Sequence, residues 1–92
     1  MKIYDSIVIG GGLAGSAIAY ELAKVGQSVL LLDATSQNAT YYSYGGIAYW
    51  SGSTPLLQML CRESQDLYPQ LSAELESDIE FREIDLLLTI DP

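Results

Sequence analysis

The sequence predicts an α/β fold that begins with a βαβ unit and a parallel sheet. Two short apolar runs, at residues 3–9 and 28–33, have the composition of strands, and a helical apolar pattern lies between them. A cluster of glycines separates the first run from the helix. A strand, a crossover helix and a parallel strand form a right-handed unit in nearly all proteins, so this order predicts the hand of the connection too.

The first predicted strand ends in the β-branched run Ile7-Val8-Ile9 and is bounded by glycine. A continuous apolar run is typical of a strand buried on both faces of a parallel sheet. Two strands by themselves leave the edges and one face of a sheet uncovered. We therefore expect the 92 residues to form an incomplete domain.

The predicted helix is amphipathic. Ala14, Ile18, Leu22 and Val25 follow one another at spacings of four, four and three residues, which places them on one face. Gly26 comes directly after the last of them, where helices commonly end in a left-handed residue. The second strand then follows and ends in an acidic residue, Asp33.

The glycines between strand and helix form the pattern G-x-G-x-x-G, and Asp33 lies 18 residues after the last of them. In a Rossmann-like βαβ unit this pattern allows a tight turn, a close approach of pyrophosphate and close helix packing. The helix N-terminus attracts the phosphates, and the acid accepts hydrogen bonds from ribose hydroxyls. The predicted contacts with a dinucleotide are Gly10, Gly12, Leu13, Ala14, Gly15, Asp33 and Ala34.

Two related phosphate-binding motifs do not fit. A P-loop requires Gly-Lys-Ser/Thr, whereas Ser16 and Ala17 follow Gly15. Recognition of NADP requires an arginine near the end of the second strand, and residues 34–37 contain none. The pattern leaves NAD and FAD as candidate cofactors.

Three segments follow the βαβ unit of residues 1–33. Residues 34–55 carry no charge, contain four tyrosines and Trp50, and predict a long ordered loop. Residues 56–77 predict a helix, with a kink or two consecutive helices at Pro69. Residues 78–92 predict a β-hairpin with a turn near Ile84 and Asp85.

The composition excludes several functions. The net charge is −8, and residues 60–92 hold nine of the 12 acids, so binding to nucleic acid or to an anionic membrane is disfavoured. Cys61 is the single cysteine and there is no histidine, which predicts neither a disulfide nor a metal site. We expect Cys61 to be a small core residue of the helix. This cysteine usage suits a cytoplasmic protein.

The segment "YDSIVIGGGLAGSAIAYELAKVGQSVLLLD" is similar to the N-terminal flavin-binding segment of the FAD-dependent oxidoreductases, of the D-amino-acid oxidase, glycine oxidase and sarcosine oxidase type. In that family a glycine pair in the following loop passes close to the flavin. Gly45 and Gly46 of "YGGIA" match this pair, and Ile47 follows it. The resemblance continues through "LCRESQDLYPQLSAEL" and "IEFREIDLLLTI". It implies that FAD is the cofactor and that residues 34–55 form a loop beside the flavin.

The resemblance also implies an activity, the transfer of a hydride equivalent from a C–N bond of an amine or amino acid to the flavin. "ATYYSYGGIA" also resembles the aspartate-oxidase and fumarate-reductase type, and Tyr41, Tyr42 and Tyr44 stand where small residues are usual. Residues that hold the substrate come largely from other segments in the family. We therefore expect an N-terminal part without turnover of its own, which needs the rest of the flavoprotein chain or a complementing subunit.

Two other functions remain open from the sequence. One is a non-catalytic dinucleotide-binding module of a split flavoprotein. The other is a segment of an NAD-dependent dehydrogenase, in which "YGGIA" would have no role.

Overall fold

The computed structural model describes residues 1–35, 37–87 and 89, which fall into two compact units divided between Gly46 and Ile47. The first unit contains strand β1 (Ser6–Ile9), helix α1 (Leu13–Lys24) and strand β2 (Val29–Leu32). The second contains a 3-10 helix, Tyr49–Ser51, and helix α2 (Pro55–Glu74). The predicted βαβ order is confirmed.

The two strands of the first unit are parallel. Their register pairs Ser6 with Val29 and Ile9 with Leu32. Helix α1 packs against the face of the sheet that holds Val8, whose side chain lies beside Gly15. Ile7 and Ile9 point to the opposite face and are 59% and 85% exposed. The expected burial of this strand on both faces is therefore corrected, and one face is uncovered as the two-stranded sheet implies.

The face of α1 that meets the sheet differs from the predicted one. Gly15, Ala19 and Leu22 are half-buried, whereas Ile18 and Val25 are 54% and 74% exposed. The smallest residue allows the closest approach of the helix to β1, so Gly15 sets the rotation of the helix about its axis. Ile18 and Val25 therefore lie off the contact face, whereas Leu22 of the predicted stripe stays on it.

The C-terminus of α1 has the predicted left-handed glycine. Gly26 has φ of +91° and donates its N–H to the carbonyl of Ala23, and Gln27 donates to the carbonyl of Leu22 at 3.1 Å. These two bonds satisfy carbonyls at the end of the helix that would otherwise lack a partner. The chain then enters β2 after one further residue.

Helix α2 of the second unit is continuous through Pro69, so the alternative of two helices is wrong. Its N-terminus is capped by Thr54, whose hydroxyl accepts from the N–H of Leu57 at 3.2 Å, and Pro55 takes the first position. A proline in a helix removes one N–H···O=C bond. A half-buried stripe continues across the proline at helical spacing: Cys61, Gln65, Tyr68 and Ser72.

The predicted hairpin of residues 78–92 is not formed in residues 78–87, which have no strand. Glu80 has φ of +59°, which interrupts an extended backbone, and the ring of Phe81 stacks on Tyr68 of α2 with 5.8 Å between centroids. An isolated two-stranded hairpin is marginal in water, so docking of Phe81 on the helix prevails. Residues 88 and 90–92 of the predicted hairpin lie outside the described residues.

The described residues include none that is fully buried. Cys61 is half-buried on α2, so the expectation that it is a core residue is wrong. Within the described part of the chain, no helix combines the length and hydrophobicity that a membrane span requires.

Asp5 and Ser28 join the two strands at the amino end of the sheet. Asp5 Oδ2 accepts from the N–H of Ser28 at 2.8 Å and from its hydroxyl at 3.0 Å, and the N–H of Asp5 donates to the Ser28 carbonyl at 3.0 Å. The backbone hydrogen bond, followed by the hydroxyl, lowers the pKa of Asp5 because both favour the carboxylate.

We predict that Asp5→Asn lowers the free energy of unfolding at neutral pH. The free energy of unfolding of the variant should also decrease less than that of the parent as the pH falls. The pKa of Asp5 is lower in the folded chain, so its contribution is complete above the unfolded pKa and is lost as the pH falls through the folded pKa. Urea denaturation followed by circular dichroism across the acid range measures this. Glu21→Gln, which alters an exposed partner of Lys24, is the control. Equal acid dependence in parent and Asp5→Asn would contradict the assignment.

Candidate dinucleotide-binding site

The passage from β1 into α1 requires glycine at two positions, Gly10 in the turn and Gly15 in the first turn of the helix. Gly10 has φ of +107°, and its N–H donates to the Leu32 carbonyl at 2.7 Å. A Cβ placed on Gly15 would overlap the carbonyl oxygen of Gly10 and lie 3.6 Å from Cγ1 of Val8. The first turn of α1 therefore lies directly against the end of β1. The residues that begin the helix are the predicted contacts Leu13 and Ala14.

Asp33 lies beside the middle glycine of the turn. A Cβ placed on Gly11 would stand 2.9 Å from both Cγ and Oδ2 of Asp33. The end of β2 and the glycine turn thus meet through the Asp33 carboxylate, and Ala34 follows it. Sequence reasoning did not single out Gly11. The available signal was the run of three consecutive glycines, because the pattern G-x-G-x-x-G accounts for only Gly10 and Gly12 within that run.

The N-terminus of α1 is capped by a residue from the following loop. The N–H of Leu13 donates to Thr40 Oγ1 at 2.8 Å, and a Cβ placed on Gly12 would stand 3.2 Å from the same oxygen. Gly12 is the N-cap residue and has no side chain with which to accept a hydrogen bond. Thr40 supplies that acceptor from 27 residues away. No sequence pattern predicted this contact.

A second polar side chain of the same loop lies over the glycine turn. Asn38 Oδ1 accepts from the N–H of Tyr41 at 3.0 Å, and the Asn38 carbonyl accepts from the N–H of Tyr42 at 3.2 Å. Its amide nitrogen Nδ2 lies 3.5 Å from the place that a Cβ on Gly12 would take. Residues 38–42 therefore form a turn whose polar side chains border this place; we call it the Asn38–Thr40 turn.

The predicted flavin-side residues lie further along the chain. Gly45 has φ of +76°, and a Cβ placed on Gly46 would overlap the ring of Tyr44. Ile47 begins the second unit. The exposed rings of Tyr41 and Tyr42 pack edge to face with 5.0 Å between centroids.

Within residues 1–46, neither lysine lies at the glycine turn, and there is no arginine. Residues 1–46 contain two basic residues, Lys2 and Lys24. Lys2 lies over the ring of Tyr4, and Lys24 lies in the last turn of α1, 3.6 Å from Glu21. A bound anion would therefore be held in this unit by N–H groups, a hydroxyl and an amide at the positive end of the helix dipole.

These residues fit an adenine dinucleotide. Gly12 places no side chain beside the N-terminus of α1, which a close approach of pyrophosphate requires. The carboxylate of Asp33 lies at the adjoining glycine and can accept from ribose hydroxyls. The fit is equally good for NAD and FAD, because both share these groups.

A sequence model of the FAD-dependent oxidoreductases matches residues 5–91. The chain belongs to the FAD-dependent oxidoreductase family. The resemblance stated from the sequence is thereby confirmed, and FAD is the cofactor of this family.

The matched proteins include oxidases and reductases. Glycine oxidase of Bacillus licheniformis is 37% identical over 90 residues, which are 91% of this chain and 24% of that protein. Digeranylgeranylglycerophospholipid reductase of Sulfolobus acidocaldarius is 49% identical over 35 residues, or 38% of the chain and 8% of that protein. Digeranylgeranylglycerophospholipid reductase 2 of Methanothermobacter thermautotrophicus is 40% identical over 63 residues, or 63% of the chain and 16% of that protein. No solved structure matches significantly.

We predict that Gly15→Ala destabilises the first unit by about 1–3 kcal/mol or more, because the new methyl group meets a backbone oxygen that cannot move aside. Urea denaturation of the parent and the variant measures the difference. Ala17→Ser, an exposed position in the same turns of α1, is the control and should change stability by less than about 0.5 kcal/mol. A fully stable Gly15→Ala chain would refute the close approach of α1 to β1.

Proposed function

We propose that this chain is the FAD-binding N-terminal part of an oxidoreductase that acts on amines or amino acids. The observation that carries the proposal is the agreement between the family and the geometry of the glycine turn, where the bare backbone of Gly12, the N-terminus of α1 and the Asp33 carboxylate lie together. The extent of the matches supports the substrate class. Glycine oxidase matches 91% of the chain, and the two reductases match 38% and 63%.

The residues of the first unit divide the binding of the cofactor among them. The N–H of Ala14 stands at the N-terminus of α1 and, together with the helix dipole, stabilises the pyrophosphate charge. Thr40 Oγ1 accepts from Leu13 and retains its own proton, which it can donate to a phosphate oxygen. Asp33 accepts from the adenosine ribose. Gly45, Gly46 and Ile47 form the backbone beside the flavin ring in this proposal.

FAD, when bound, supplies a flavin ring that accepts the hydride equivalent from the substrate. The described residues bind and orient the cofactor, and no residue of the chain is assigned to the substrate. Arg82, a basic residue that could hold a substrate carboxylate, lies among acidic residues, which favours pairing at the surface. We therefore propose that the chain has no turnover of its own.

Further protein is needed to cover the sheet. Ile7 and Ile9 expose the face opposite α1, and parallel sheets in α/β proteins are covered on both faces. We propose that the remainder of the flavoprotein chain, or a complementing subunit, supplies this cover. In a split flavoprotein, a complementing subunit would supply the cover. Isolation of a stable flavin-containing complex of two chains would favour this alternative.

The first test compares the visible absorption spectrum of the purified chain with that of its Gly12→Trp variant. We expect flavin absorbance in the parent and its loss in the variant, because the indole would fill the place bordered by Thr40. Ala17→Trp introduces the same side chain at an exposed position of α1 and should retain the flavin. A parent that is folded by circular dichroism but binds no added FAD would overturn the proposal.

The second test concerns the substrate. In the full-length flavoprotein we expect glycine, sarcosine or a D-amino acid to bleach the flavin absorbance under anaerobic conditions. The 92-residue chain loaded with FAD should show no bleaching with the same compounds, since it holds no assigned substrate residue. Bleaching of the isolated chain would refute its inactivity, and an unreactive full-length protein would refute the substrate class.

A further inference from the structure

We propose that exposed leucines on α2 form the docking surface for a basic, amphipathic segment in the remainder of the flavoprotein chain. Leu56, Leu60 and Leu67 are 60%, 47% and 65% exposed, and we call them the leucine stripe. They follow one another at spacings of four and seven residues, which places them on one side of the helix. The inference rests on the proposed place of this chain in a longer flavoprotein.

Helix α2 turns a polar side, and not the leucine stripe, toward its own unit. The half-buried residues of the helix include Gln65, Tyr68 and Ser72. Tyr68 stacks on Phe81, and Ser72 Oγ accepts from the N–H of Ile79 at 3.2 Å. The chain that follows α2 therefore covers this polar side and leaves the leucine stripe exposed.

This arrangement is unfavourable for the second unit by itself. Gln65 Oε1 is buried without a hydrogen-bond partner among the described residues, and the leucine stripe keeps apolar area in water. A second apolar surface that covered the leucines would stabilise the helix, because their burial is favourable. The chain spans 24% of the length of the matched glycine oxidase, so a flavoprotein of that length has further segments to supply this surface.

The charges around the leucine stripe specify the chemistry of its partner. Glu63 is three residues after Leu60 and four before Leu67, so it lies on the same side of the helix, and Asp66 directly precedes Leu67. Residues 56–78 contain five acids and one base. Complementary charges at the border of an interface favour association, so the partner should carry lysine or arginine beside its apolar residues.

A second copy of the chain does not meet this requirement. Its own α2 would bring the same acids against Glu63 and Asp66, and each copy has a net charge of −8. Like charges that face each other across an interface oppose association. A basic segment instead pairs with both carboxylates while its apolar side buries the leucines.

The first experiment places the photoreactive residue benzoylphenylalanine at the position of Leu60 in the full-length flavoprotein with its FAD bound. Illumination joins this residue to a C–H bond that it touches, and mass spectrometry identifies the captured peptide. We expect a peptide from outside residues 1–92 that carries lysine or arginine beside apolar residues. The same group at the position of Ala73, an exposed residue on another side of α2, should not capture that peptide.

Several results of this experiment would overturn the inference. They are capture of residues 1–46, capture of a second copy, capture of an acidic peptide, and no capture at position 60. Each of them leaves the proposed function intact when the full-length protein contains flavin. A full-length protein that folds without flavin refutes the proposed function instead, and position 60 still tests the docking surface in it.

A second measurement separates the leucines from the acids in the 92-residue chain. The probes are two synthetic helical peptides with the same leucine side, one flanked by lysine and the other by glutamate. We expect the lysine peptide to bind the parent, and to bind the double variant Leu60→Gln, Leu67→Gln about tenfold or more weakly. The double variant Ile3→Gln, Val25→Gln, changed at exposed apolar residues of the first unit, should bind it as the parent does. Equal binding of both peptides, or binding that the loss of the leucines leaves unchanged, would overturn the inference.

Discussion

The close approach of α1 to β1 is the constraint on which the first unit depends. At Gly15 the helix meets the carbonyl oxygen of Gly10, and no side chain of any size fits between them. The N-terminus of α1 is therefore held immediately beyond the carboxyl end of the strand. This is the place where ligands bind in open parallel α/β sheets, because the helix dipole and the strand ends converge there. The polar residues of two other segments, Asp33 and the Asn38–Thr40 turn, gather around the same point.

Two different constraints act on the three consecutive glycines. Gly10 adopts a left-handed backbone with open space around it, so its constraint is conformational. Gly11 lies against the carboxylate of Asp33, and Gly12 lies against Thr40 and Asn38, so their constraints are steric. The pattern G-x-G-x-x-G thus accounts for Gly10 and Gly12 of the run but not for Gly11. Gly11 belongs to the site through its contact with the end of β2.

The parts of the structure that the sequence predicts are those that depend on local pattern. The βαβ order follows from apolar runs and glycines, and the left-handed Gly26 follows from its place after the last apolar residue of the helix. The rotation of α1 does not follow from hydrophobicity. Ile18 is the larger apolar residue, but the contact at Gly15 turns it away from the sheet. Close backbone approach outweighs side-chain size here, and a hydrophobic pattern contains no information about it.

The remaining differences involve contacts between residues that are distant in sequence or that compete for one partner. Thr40 caps a helix that begins 27 residues earlier, and nothing in the composition of residues 34–55 selects it over the neighbouring serines and tyrosines. Phe81 alternates with Ile79 as a strand would, yet its ring stacks on Tyr68. A strand pattern predicts a strand only when another strand is available to pair with it. In this segment the helix is the available surface: Phe81 stacks on Tyr68, and the N–H of Ile79 donates to Ser72 Oγ.

The exposed sheet face and the glycine turn have opposite consequences for stability. Ile7 and Ile9 leave apolar area in water, and the described residues include none that is fully buried, so burial alone stabilises the first unit weakly. A dinucleotide that binds only the folded unit adds stability in proportion to the logarithm of its concentration over its dissociation constant. It would do so at the glycine turn, where the N-terminus of α1, Thr40 of the following loop and Asp33 after β2 lie together. The cofactor would therefore act as a structural component that joins three segments of a unit with little core of its own.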